Sequence, residues 1–262
     1  MLRYLRLYGH FMRFSIGRTF EFRLDFFFRV FMDLAYYGVN LAFYKIIFLQ
    51  TPNLGGWNQT QIFVFVAAFL VIDAITMTVF SNNLWWFPLA VNRGDLDYYL
   101  LRPVSSLFFL TLRDFAANSF LNLLFAMGVL GWALHQLPDP ISFSGLLGFL
   151  ILLGLGSLLH SMLHLLIILP VFWLQSGSSL HAIFYTMAKI SERPDRIFTG
   201  WVRKVMVTVL PFCLIASFPS RLFLEGFSWL IVLHFSGVLV IFAAGILVLW
   251  RWGLKSYLSA SS

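Results

Sequence analysis

The sequence predicts an all-α integral membrane protein with six transmembrane helices. Of its 262 residues, 60% are hydrophobic and only 11% are charged, whereas soluble globular chains carry about 25% charged residues. Several apolar runs exceed the roughly 18 residues that a helix needs to cross the hydrocarbon layer. The period-two alternation of a transmembrane β-barrel is absent, and a helix is the only other backbone structure that can span lipid.

Charge and cysteine content exclude several classes of protein. The net charge of +7 comes from basic residues beside the apolar runs, where they set topology and meet anionic lipid, so it does not indicate nucleic acid binding. The single cysteine, Cys213, forms no internal disulfide, and no cluster of Cys and His predicts a metal site. No phosphate-binding loop or hydrolase motif occurs. We therefore expect no metal, no cofactor and no catalytic residue in this chain.

Residues 1–20 mix four arginines with aromatic and aliphatic residues, and no cleavable signal peptide is apparent. Such a mixture predicts an interfacial helix on the membrane surface, and the positive-inside rule places this helix in the cytoplasm. The first span, from about 22 to 49, contains Asp25, Arg29 and Asp33 at successive i, i+4 positions. Arg29 can therefore bridge both acids. Asp33 is the deeper acid and should face another helix, and we favour a structural ion network over a transport site.

The second span, from about 62 to 87, follows an uncharged loop that contains Gly55, Gly56 and Trp57. This composition suits a short external loop. Asp73 lies near the middle of the span and has no partner in its own helix. An intramembrane acid is by default a functional-site hypothesis. It could equally bond to a polar residue of a neighbouring helix, and the sequence identifies no such partner.

A charged stretch after the second span interrupts the apolar pattern. Asp95 suits the N-cap of a helix, and Pro103 cannot continue one, so a helix of one to two turns is predicted between them. Leu96, Tyr99 and Leu100 fall on one face of this helix. Two interpretations stay open here: a docking helix that presents a shaped surface to a soluble partner, or a charged loop with one turn of helix.

The third span is predicted from about 107 to 133, and Arg113 and Asp114 near its start extend the polar surface. The fourth span covers about 143 to 172, and its glycines allow close helix packing.

Beyond the fourth span, two topologies remain open for a basic region at 189–204 followed by Pro211 and Pro219. In the first topology the basic region is cytoplasmic, and 205–224 is a kinked fifth span, as the positive-inside rule favours. In the second the fifth span is about 172–190, and the proline-broken helices form an external re-entrant hairpin. Both end with a span at about 227–250 and a cytoplasmic C-terminus.

Three motifs carry a resemblance to a known family. They are Arg93-Gly94-Asp95-Leu96-Asp97 with Leu101-Arg102-Pro103, then Pro211-Phe212 with Phe218-Pro219, and finally Trp250-x-x-Gly253-Leu254-x-x-Tyr257-x-Ser259-Ala260. Together with the six-span layout, they make the chain resemble the membrane permease subunits of type-2 ATP-binding-cassette (ABC) exporters. More narrowly, it looks like a bacterial six-span subfamily that often pairs two permease genes with one ATPase gene.

This resemblance implies a single permease domain over 1–262 and a coupling mechanism. It implies an interfacial helix at 1–20, a cytoplasmic coupling helix at 92–103 and an external re-entrant segment at 191–226 that contains Pro211 and Pro219. The residues implied for coupling to the ATPase are Arg93, Gly94, Asp95, Leu96, Asp97, Tyr98, Tyr99, Leu100, Arg102 and Pro103. Leu96, Tyr99 and Leu100 would be the apolar contacts. The many basic residues between Lys189 and Lys204 depart from the family pattern.

The implied partners are an ABC ATPase dimer, which would hold ATP and Mg, and a second permease, either a second copy or a different six-span chain. The implied location is the bacterial cytoplasmic (inner) membrane, with both termini in the cytoplasm and lipids around the spans. A different class of protein, a secondary transporter driven by an ion gradient, would use Asp73 or Asp33. Six spans without an inverted repeat argue against it. A third class is a membrane scaffold or an immunity-type subunit that transports nothing.

Overall fold

The computed structural model describes residues 2–19, 23–138 and 140–257, and this part of the chain contains no β-strand. Its thirteen α-helices are α1 Leu2–Thr19, α2 Arg23–Ile47, α3 Gln59–Thr76, α4 Asn82–Asn92, α5 Leu96–Leu100, α6 Ser106–Leu112, α7 Phe120–His135, α8 Phe143–Ile168, α9 Val171–Leu174, α10 Gly177–Ala188, α11 Gly200–Thr208, α12 Leu214–Leu224 and α13 Trp229–Ser256. The prediction of an all-α protein is confirmed for these residues.

Three helical stretches are long and apolar enough to cross a membrane, namely Gln59–Asn92, Phe143–Leu174 and Trp229–Ser256. A fourth crossing is formed if α11 and the segment Pro211–Leu224, which are bent by 75° relative to each other, act as one span. With 25 residues, α2 has the length to cross, but its charged residues lower its apolarity. The chain is therefore a multi-helix membrane protein, and the count of six crossings stays a prediction.

The predicted third span is not one continuous helix. It is divided into α6 and α7 because the backbone between them bonds to another helix. The Asn83 side chain accepts a hydrogen bond from the Asp114 N–H and donates one to the Asp114 carbonyl, each at 2.8 Å. The Ala116 N–H donates to the Thr78 carbonyl at 2.8 Å. Thr78 lies in a π-helical turn, Met77–Ser81, which joins α3 to α4.

The predicted fifth span is also interrupted. Gln175 adopts a left-handed conformation, with φ of 54°, and separates α9 from α10. The two prolines further along differ from each other. Pro211 begins a 3-10 turn at the bend, as expected of a helix-breaking residue. Pro219 lies inside α12 and does not end it, which corrects the prediction of a helix broken at both prolines.

The core forms around α3, which packs against α2, α7, α8 and α12. All residues of α3 from 62 to 72 are buried. A Cβ on Gly156 of α8 would lie 2.6 Å from the Ile215 carbonyl of α12, so these helices meet backbone to backbone. The same carbonyl is four residues before Pro219, which has no N–H to donate to it.

The bundle has two ends, which we call the α5 end and the Trp57 end. The helical stretch Gln59–Asn92 starts at the Trp57 end and reaches α5 at the other. In the connection from 189 to 228, Arg196 and Glu225 lie at the Trp57 end, because the Trp57 indole N–H donates to Glu225 at 3.0 Å and Arg196 packs against Gly55. The basic region and α5 therefore occupy opposite ends of the protein.

Candidate functional site

The charged stretch after α4 forms the predicted short helix, α5. Gly94 has a φ of +81°, a conformation that suits glycine, and this allows the tight turn from α4 into α5. Asp95 precedes the helix, but its backbone is already α-helical and its side chain caps no N–H. The predicted N-cap bond of Asp95 is therefore absent, because a side-chain N-cap needs an extended backbone at that residue. Instead, the Asp97 N–H donates to the Gly94 carbonyl.

The inner face of α5 anchors the helix to the protein. Leu96 is 0% exposed and belongs to the same buried apolar cluster as Leu84, Phe87 and Leu110. Tyr99 is half-buried, its ring lies 5.3 Å from that of Phe109, and its hydroxyl accepts a 2.7 Å hydrogen bond from Arg113. Leu96 is therefore buried inside the protein, and Tyr99 is held by internal contacts while part of its side chain stays exposed.

The outer face of α5 is aromatic, aliphatic and basic. Tyr98 is 57% exposed and Leu101 is 86% exposed, and Leu100 is exposed between them. The Arg102 guanidinium lies 4.2 Å from the centre of the Tyr98 ring, a cation–π contact that holds both side chains in place. Three further predicted coupling residues, Arg93, Asp95 and Pro103, are exposed beside them. We call Tyr98, Leu100, Leu101 and Arg102 the outer patch.

The sequence analysis did not predict Leu101 as a contact residue, because it chose the apolar contacts by their spacing of three and four residues. Leu101 follows the last residue of α5, so its side chain does not follow the helical pattern of the buried face. The sequence did contain a signal for this exposed contact residue, namely a large apolar residue directly before Arg102-Pro103 and outside the periodic pattern.

The C-terminal end of α13 lies against α5. Burial, and after it the negative charge of Asp97, raises the pKa of Tyr257 above its usual value. The Tyr257 ring also lies 6.3 Å from Phe172 of α9. Asp97 is thus part of an internal contact, whereas Arg102 belongs to the outer patch.

Helix α1 rests on α6, next to α5. The Tyr4 hydroxyl accepts a hydrogen bond from the Ser105 N–H at 3.2 Å, and the Ser15 hydroxyl accepts one from the Phe115 N–H at 3.2 Å. Phe11 packs edge-on against Phe109 at 5.1 Å. Since Phe109 also contacts Tyr99 of α5, a single α6 side chain touches both helices. Helices α1, α5 and α6 therefore form one connected surface at the α5 end.

The intramembrane acids lie away from this surface. Asp33 accepts a hydrogen bond from the Asn122 side chain of α7, so it faces another helix as predicted. The side chains of Asp25 and Arg29 lie outside the described residues, and the predicted bridge through Arg29 stays a prediction. Within the described part of the chain, the carboxylate of Asp73 makes no hydrogen bond or ion pair, and no group of three potential metal ligands is found.

Comparison with known proteins gives one match. A sequence profile of the family described as "ABC-2 family transporter protein" matches residues 34–261. No curated protein and no solved structure matched the chain. The matched range contains α5, the outer patch and the three long apolar stretches, whereas it begins within α2 and α1 precedes it.

Proposed function

The chain belongs to the ABC-2 transporter family, which makes it a membrane permease of an ABC transporter, and we propose that it exports its substrate by coupling to a separate ATPase through α5. The observation that carries this proposal is the outer patch. It places exposed apolar, aromatic and basic side chains on a short helix that is anchored from within and is joined through Gly94 to a long membrane helix. Such a surface suits docking to a soluble protein.

ATP and Mg would be held by the partner ATPase, since no nucleotide-binding motif occurs in this sequence. Closure of the ATPase dimer would displace α5, and through Phe109 it would also displace α1. The substrate pathway would form against a second permease, either another copy of this chain or a different six-span chain. The protein would lie in the bacterial inner membrane with both termini in the cytoplasm.

We assign the α5 end to the cytoplasm and the segment 191–226 to the external side as a re-entrant structure. The contacts of Glu225 and Arg196 with the loop at 55–57 support this assignment, because that loop and α5 lie at opposite ends of the bundle. The family match does not favour the alternative of a gradient-driven transporter, so no ion-binding role is assigned to Asp73 or Asp33.

A charge placed in the outer patch tests the coupling. We expect Leu101→Glu to lower permease-stimulated ATP hydrolysis about tenfold, because loss of a central interface contact typically costs at least one such factor. Since Leu101 is 86% exposed, the variant should fold normally. Leu49→Glu, which makes the same change at an exposed leucine close to the Trp57 end, is the matched control. The assay is ATPase activity of the reconstituted complex, and equal activity for Leu101→Glu and Leu49→Glu would refute the role of the outer patch.

Crosslinking tests the partner directly. The native cysteine, Cys213, is buried, so a cysteine at Tyr98 can be placed in a Cys213→Ala background. We expect a crosslink from Tyr98→Cys to a chain that carries a phosphate-binding loop, identified by mass spectrometry, and none from Leu49→Cys. A crosslink from neither position would remove the support for docking through α5.

A further inference from the structure

A basic cleft opens at the Trp57 end, remote from the outer patch. It has a volume of about 840 Å³ and lies between the glycine turn at 55–56 and helix α11. Arg196, Arg203 and Lys204 line it, and no carboxylate is among its lining residues in the described part of the chain. The cleft therefore presents positive charge to whatever enters it.

Two basic residues of the cleft, Arg203 and Arg196, are held in place by acidic side chains that do not line it. Asp195 is fully buried and accepts hydrogen bonds from Arg203 Nε at 3.1 Å and Nη2 at 2.6 Å. Glu225 accepts one from Arg196 at 2.6 Å. Arg221 lies within 3.5 Å of Asp195 and 3.6 Å of Glu225. The two arginines of the cleft are thus pre-oriented, and each retains free N–H groups, an arrangement that suits phosphate recognition.

The cleft also has an excess of positive charge, and one of its walls has no side chains. The acids Asp195 and Glu225 are outnumbered by three arginines, and Lys204 is exposed and pairs with no described acid. The opposite wall is formed by Gly55 and Gly56, whose φ values of +59° and +85° favour glycine. This wall has no side chains, and it lies so close to Arg196 that a Cβ on Gly56 would be 3.5 Å from the Arg196 Nη1.

Helix α11 indicates where this cleft lies relative to the membrane. None of its residues is buried, Trp201 is 75% exposed, and Val209, which follows its last residue, is also exposed. Exposed tryptophan and aliphatic residues together with lysine and arginine are typical of a helix at the membrane–water interface. The apolar residues would enter the leaflet while Lys204 and Arg203 remain at headgroup level.

From this geometry we propose that the cleft binds the phosphate of an anionic phospholipid headgroup in the leaflet at the Trp57 end. The proposal explains why basic residues accumulate between 189 and 204, on the side where topology alone would not require them. It does not depend on the coupling role of α5, because lipid binding needs neither ATP nor a partner chain.

The test uses the purified full-length protein in a zwitterionic detergent. Its ligands are dihexanoyl phosphatidylglycerol, the matching phosphatidylcholine and inorganic phosphate, and binding is measured by calorimetry. We expect phosphatidylglycerol to bind more tightly than either of the others. Lys204→Gln should weaken that binding about fivefold, since one basic residue near an anionic lipid surface contributes roughly that factor. Thr208→Glu, which places a carboxylate at the exposed rim, should weaken it at least as much.

Two controls separate the cleft from general charge effects. Thr208→Gln keeps the rim neutral, and Lys45→Gln removes an exposed lysine near the same end that does not line the cleft. Both should bind phosphatidylglycerol like the unmodified protein. Unchanged affinity in both Lys204→Gln and Thr208→Glu would overturn the proposal. Inorganic phosphate binding as tightly as the lipid would also overturn it, because the site would then recognise a free anion.

Discussion

A single asparagine, Asn83, holds the broken third helix to α4. Its amide bonds to both backbone groups of Asp114 and also donates to the Val79 carbonyl at 3.1 Å. Because the side chain is buried, water cannot take over these bonds. A helix break inside a membrane bundle needs such partners, since unsatisfied backbone groups are costly in lipid.

We therefore expect Asn83→Leu, which keeps the volume but removes the amide, to destabilise the protein by about 2 to 3 kcal/mol. The measurement is the unfolding temperature in detergent, followed by tryptophan fluorescence. Asn82→Leu is the matched control, because no side-chain hydrogen bond of Asn82 occurs among the described residues. If both variants unfold at the same temperature, the Asn83 bonds do not stabilise the break.

Gly253 of α13 provides a second prediction at the level of one residue. A Cβ at this position would overlap the ring of Phe172. That ring is buried and packs against Phe87, Trp250 and Tyr257, so it has little room to move. Gly253→Ala should cost about 1 to 3 kcal/mol through overpacking.

Gly237 lies on the same helix with nothing within 4 Å of an added Cβ. We expect Gly237→Ala to leave the unfolding temperature unchanged or to raise it slightly, since alanine is the better helix former. Both predictions are tested by measuring the thermal unfolding of the two variants in the same detergent. A destabilised Gly237→Ala with a normal Gly253→Ala would contradict the packing described for α13.

At the scale of elements, the connected surface of α1, α5 and α6 allows the attachment of α1 to be tested. The polar contacts that attach α1 include the Ser15 hydroxyl, which accepts a hydrogen bond from the Phe115 N–H. Ser15→Ala leaves that N–H unsatisfied, at a cost of about 1 to 3 kcal/mol. We expect faster amide hydrogen exchange over residues 2–19 in this variant, measured by mass spectrometry. Ser144→Ala, at an exposed position of α8, should leave the exchange of α1 unchanged, and an equal increase in both would argue against docking through Ser15.

The sequence predicted some elements well and others poorly, for identifiable reasons. Helix α5 was predicted because Asp95 and Pro103 bound it locally, and local signals of this kind are readable in one chain. The interruption between α6 and α7 was not predicted, because it depends on Asn83, which is about thirty residues away in sequence. Periodicity identified the apolar face of α5, but it did not show that this face packs into the protein, where Leu96 is buried. It also could not identify Leu101, which is exposed and lies outside the periodic pattern.

At the scale of the whole molecule, the positive-inside rule and the packing of the loops give different locations for the basic region. The positive-inside rule places 189–204 in the cytoplasm, whereas the structure puts this region at the end of the bundle opposite α5. If α5 docks to a cytoplasmic ATPase, the basic region is external. The sequence left this choice open, because charge counts do not report which loops pack together.

Labelling of single cysteines tests this arrangement in intact cells. In a Cys213→Ala background, we expect an impermeant maleimide added outside to label Lys204→Cys and not Tyr98→Cys. After the cells are dissolved in a denaturing detergent, which also removes any partner chain, both positions should react. Labelling of Tyr98→Cys from outside, or of both positions from the same side, would contradict the proposed topology.

The long helical stretch from Gln59 to Asn92 has a mechanical consequence. Its 34 residues extend about 51 Å at 1.5 Å per residue, well beyond the roughly 30 Å of hydrocarbon. The π-turn at Met77–Ser81 divides it into α3, about 27 Å long, and α4, about 17 Å long. The two parts of the stretch on either side of the turn are held differently. Residues 62–72 of α3 are buried against the surrounding helices, so a push at the α5 end would move α4 about the turn while α3 stays in place.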